Sequence, residues 1–62
     1  MYKNLIAEKA IHRLTNQQMA NIIGVSRLTY EKRMRTGKFT AGDCKKLCEY
    51  FGKDFETLFA IF

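Results

Sequence analysis

The stretch from Thr15 to Tyr30 constrains the fold more than any other part of the chain. Thr15 and Gln18 stand in capping-box spacing, so the threonine hydroxyl can accept the amide of residue 18 while the glutamine reaches back to the amide of residue 15. Met19, Ala20, Ile22 and Ile23 then make an apolar stripe of helical period, and Gly24 offers the left-handed backbone that ends a helix. Val25 fills the corner, and Ser26 is a second N-cap two residues after the glycine. Two helices joined by so short a turn cross steeply, and the small side chain of Ala20 lets them approach.

The same punctuation divides the rest of the 62 residues. There is no proline and no repeat, so the breaks fall at the glycines (24, 37, 42 and 52) and at capping residues, giving five short helices. The first is expected from Lys3 to Arg13 with Leu5, Ile6 and Ala10 on its buried face and Leu14 closing it. The third runs from Arg27 to Arg35 with Tyr30 and Met34 turned inward, and Gly37 stops it. Phe39 in the following linker tucks under the fold, and Thr40 caps a fourth helix striped by Cys44, Leu47, Cys48 and Phe51. Gly52 ends that helix, and Asp54 caps a last one whose Phe55, Leu58 and Phe59 close the core. None of these helices is long enough to be stable alone, so an all-α bundle with one shared core over residues 1–62 is expected.

Charge narrows the partners. A net charge of +5 and a pI near 9.5 on so small a surface favour polyanions: nucleic acid first, then an acidic membrane surface, then an acidic protein. Apolar residues at 47% against 27% charged argue for a folded globule over a disordered tail. No apolar run reaches the roughly 18 residues of a membrane span, and the opening residues lack a signal-peptide core, so a cytoplasmic protein is expected. Cys44 and Cys48 read as two small core residues; His12 is the single histidine and is distant in sequence, so no metal and no cofactor are expected. With no Gly-rich phosphate loop, no nucleophile beside a base and no convincing acid pair, an enzyme is not expected.

The helix-turn-helix over about residues 15–35 resembles the lambda-type repressor and Cro family, also called Xre-like. Ala20 and Gly24 stand where that family has its small residue and its glycine, Met19, Ile23 and Val25 at apolar positions, and Tyr30 where isoleucine or valine is usual. The five-helix pattern fits along the whole chain. The pattern breaks later: Arg33 occupies a usually apolar place, Met34 stands where many members have a glutamate paired to the first helix, and the glycine comes one residue late. Apolar packing is expected to replace that ion pair.

The resemblance implies a lambda-repressor-like fold that reads double-stranded DNA as a small phage or mobile-element transcriptional regulator. It assigns Arg27, Leu28 and Lys32 to base edges in the major groove, with Ser26 and Thr29 assisting. Arginine can bond a guanine edge bidentately, and leucine can pack on a thymine methyl. Asn16, Gln17, Lys38 and Thr40 match the family's contacts to the DNA backbone, and Arg33 and Arg35 add charge beside them. Between residues 27 and 38 five cations stand against the single Glu31. The alternatives are a solvated cationic face and, for Leu28, a scattered surface apolar residue. A protein-binding module on the same fold (an antirepressor or host-factor inhibitor) and an antitoxin are the rival functions. The resemblance also implies a weak homodimer on a palindromic operator. The apolar ending Leu58-Phe59-Ala60-Ile61-Phe62 reads either as a dimer contact or as a segment folded back over the core.

Overall fold

The computed structural model describes residues 2–61, and among them every regular element is helical. α1 spans Lys3–Ile11, α2 Asn16–Ile23, α3 Arg27–Thr36, α4 Ala41–Phe51 and α5 Phe55–Leu58. Four of the five starts are capped by the residue expected from sequence. Thr15 and Thr40 each form a complete capping box, the second closed by Asp43, while Ser26 and Asp54 accept the amides of Thr29 and Thr57.

The ends are equally well defined. Gly24, Gly37 and Gly52 adopt left-handed backbone with φ of 74°, 72° and 65°. In each case the following amide reaches back to the helix, as Val25 N does to the Ala20 carbonyl at 3.0 Å. α1 ends the same way without a glycine: Arg13 has φ 55°, and the Leu14 amide bonds the Lys9 carbonyl at 3.0 Å. This closure stops α1 at Ile11, two residues before the expected Arg13.

Leu5, Met19, Ala20, Leu47 and Leu58 are fully shielded from water, with Tyr2, Ile23, Tyr30, Phe51 and Phe59 completing the core. Each fully buried leucine or methionine contributes on the order of 1.5–3 kcal/mol. Phe39 lies in an aromatic cluster, its ring centroid 5.9 Å from Tyr2, 6.1 Å from Tyr30 and 5.8 Å from Phe59. Tyr2 also donates its hydroxyl to the Gly37 carbonyl at 3.0 Å, so the first turn of the chain grips the end of α3. Asn4 donates to the Thr57 carbonyl at 2.7 Å and pins α1 to α5.

Several expected core positions lie elsewhere. On α1 only Leu5 is buried; Ile6 and Ala10 are exposed. Apolar residues surround that helix, and docking against α5 selects the face carrying Leu5. Phe55 is 58% exposed, because the one-turn α5 directs Leu58 and Phe59 inward and leaves Phe55 stacked on the Phe59 ring at 5.3 Å. Cys44 and Cys48 are free thiols at the margin of the core, half-buried, and burial pushes both up from the ordinary thiol range. Ile61 is exposed, and Phe62 lies outside the described residues.

A candidate nucleic-acid interface on α3

α3 is held from both ends and from beneath. Ala20 at zero exposure and the left-handed Gly24 set its crossing with α2, and Tyr30, 2% exposed, anchors its underside. Met34 packs against the core margin, so apolar contact stands where the resembled family has a glutamate. α3 runs for 10 residues to Thr36, one residue past the expected Arg35, before Gly37 ends it.

With Tyr30 and Met34 inward, helical spacing of four and three residues puts Leu28, Lys32 and Arg35 along the outermost line of α3. All three are exposed, Leu28 by 70%. Arg27 and Glu31 form the flank beside α2, where Asn16 stands at the first turn and Gln17 is exposed next to it. Thr29, Lys32, Arg33 and Lys38 line a groove on the other flank. Ser26 and Thr40 are exposed, but their hydroxyls are engaged in capping the starts of α3 and α4.

Two of the predicted cations are engaged within the protein. Arg33 Nη1 donates to Asp43 Oδ2 at 2.6 Å, and the same oxygen accepts the Thr40 amide at 3.1 Å. Asp43 is 5% exposed and is the one buried charged side chain among the described residues. Arg33 therefore ties the second turn of α3 to the N-terminus of α4. Sequence reasoning missed Asp43; the signal available was the Thr40-x-x-Asp43 spacing of a capping box. Arg27 Nη1 donates to both oxygens of Glu31, at 3.1 and 3.0 Å, and Asn16 Nδ2 donates to Glu31 Oε2 at 2.9 Å. The Asn16 hydrogen bond, followed by those of Arg27, holds the Glu31 carboxyl below the usual carboxylate range. Lys32, Arg35 and Lys38 have no ion-pair partner among the described residues.

No group of three or more His, Cys, Asp or Glu side chains is placed to hold a metal ion among the described residues. No helix there is long and apolar enough to cross a membrane. Comparison with known proteins adds no family: no family model matches the chain, and no curated protein or solved structure gives a significant match.

Proposed function

We propose that this protein binds double-stranded DNA sequence-specifically as a small, non-enzymatic transcriptional regulator of the Cro/repressor kind, with α3 entering the major groove. The observation that carries this reading is the outer line of α3, where an exposed leucine stands beside unpaired cations on a helix braced from below. Leu28 has no core to enter, and thymine methyls give such a side chain an apolar partner in a groove. Arg27 and Lys32 supply donors for guanine edges, and Ser26 and Thr29 border them. Arg35 and Lys38 meet phosphate on either side, while Asn16, Gln17 and Thr40 lie at helix N-termini, whose amides favour anions. Arg33 acts from behind by fixing α3 on α4. The operator is a palindrome bound by a weak homodimer, with half-sites about one helical turn, ~34 Å, apart.

Selection of bound duplexes from a random pool tests the reading. Wild type is expected to enrich one motif, with affinity falling steeply as salt rises. Arg27→Ala and Leu28→Ala should each erase the preference at one position. Failure to enrich any sequence at low salt would overturn the proposal in favour of a protein-binding module on the same fold.

A further inference from the structure

We infer that Glu31 is a positioning residue for sequence specificity: it presets the Arg27 guanidinium for a guanine edge and discourages binding to unrelated duplex. The inference rests on the reading of α3 as the groove-entering helix. Its basis is a three-residue network that spans two helices. An exposed arginine and glutamate one turn apart are ordinarily held loosely and contribute little. Here the carboxylate is also held from a second helix, because Asn16 of α2 donates to Glu31 Oε2 at 2.9 Å. Glu31 cannot follow Arg27, so Arg27 comes to Glu31.

The donor geometry leaves the arginine competent. A guanidinium carries five N–H donors, and only Nη1 is engaged with the carboxylate. Nη2 and Nε remain free to form the two parallel bonds that guanine O6 and N7 accept. Rotamer freedom that a loose arginine would lose on docking is already lost in the free protein. Glu31 also places the one negative charge among the residues between 27 and 38, and it opposes any approach of phosphate that does not bring Arg27 a base edge.

The test compares wild type, Glu31→Gln, Arg27→Ala and the double variant in the random-pool selection, with binding to an unrelated duplex measured alongside. The glutamine of Glu31→Gln still offers an oxygen to Asn16, so the thermal midpoint should move by no more than a few degrees. Arg27→Ala should abolish one guanine preference. Glu31→Gln should weaken discrimination at that same position about tenfold, while unrelated duplex binds about two to three times tighter. In the Arg27→Ala background Glu31→Gln should change discrimination no further, since its effect passes through Arg27. Asn16→Ala, which keeps the charge but frees the carboxylate, should relax the same position, and because it also removes a side chain placed against phosphate, unrelated duplex should bind more weakly rather than more tightly. Unchanged discrimination in Glu31→Gln, or a loss spread over positions that Arg27 does not read, would overturn the inference while leaving DNA binding in place. A wild type that enriches nothing removes the DNA reading, and this inference falls with it.

Discussion

Replacing Arg33 by methionine tests whether the bridge to Asp43 secures the second turn of α3. Asp43 is 5% exposed and takes its hydrogen bonds from Arg33 at 2.6 Å and from the Thr40 amide at 3.1 Å. Removing one partner of a fully buried ion pair costs about 3–5 kcal/mol, because the other charge stays behind unpaired. Two features reduce that figure. The Arg33 side chain is 28% exposed, so water already screens part of the attraction, and Asp43 keeps its cap bond at a helix N-terminus, where negative charge is favoured. A loss of about 2 kcal/mol is expected. A domain of this size has roughly 3–9 kcal/mol in total, and about 4–8 °C accompanies each kcal/mol, so the midpoint should fall by roughly 8–16 °C. Thermal and urea denaturation of Arg33→Met, Asp43→Asn and the double variant give the pair coupling directly. Wild-type stability in Arg33→Met, or losses that simply add in the double variant, would refute the reasoning.

Three further outcomes follow from the geometry. Arg13 occupies a left-handed position that glycine holds at three other helix ends, so Arg13→Gly should stabilise the fold by about 0.5–1 kcal/mol in urea denaturation; a loss would mean the arginine side chain has a structural role of its own. The carboxyls of Glu31 and Asp54 lie below the ordinary range, through hydrogen bonds from Asn16 and Arg27 and from Thr57 respectively. A depressed folded value means stability that is present at neutral pH and lost as pH falls from about 4 through the folded values; Glu31→Gln with Asp54→Asn should flatten that part of the midpoint-against-pH curve, and an unchanged curve would count against both networks. Cys44 and Cys48, raised above the usual thiol range by burial, should alkylate more slowly at pH 7 than an unstructured cysteine and reach its rate in urea; equal rates in the native protein would show that burial at the core margin does not shield them.

Elements fixed by neighbouring residues were legible in the sequence. The caps at Thr15, Ser26, Thr40 and Asp54 and the glycine ends at 24, 37 and 52 depend on contacts within a few positions, and the structure has them where the spacing puts them. What the sequence did not reveal depends on partners distant along the chain. The face of α1 is chosen by α5, so Ile6 and Ala10 lie outside the core although the helical period points them there. The exposure of Phe55 follows from α5 lasting one turn, which a stripe of three apolar residues does not announce. Arg33 and Asp43 are ten positions apart on different helices, with no shared period to link them. On α3 the inward residues Tyr30 and Met34 were legible, and the outer line follows from them; the network of Asn16, Glu31 and Arg27 was not, because it depends on how closely α2 and α3 approach.

The docking of α1 on α5 bears on the order in which the molecule is completed. α2 and α3 are neighbours in sequence and can meet as soon as both have left the ribosome, whereas α1 waits for residues 55–59. At about 5–20 residues per second that wait is roughly 2–9 s. Until it ends, Leu5 lacks the cover that α5 supplies, and Tyr2 lacks the Phe59 ring that packs against it while it grips the Gly37 carbonyl. A chain cut short before Leu58 would therefore present α3 with its far end loose. Residues 55–59 thus decide whether a newly made copy carries a firmly mounted α3 or a frayed one open to proteases.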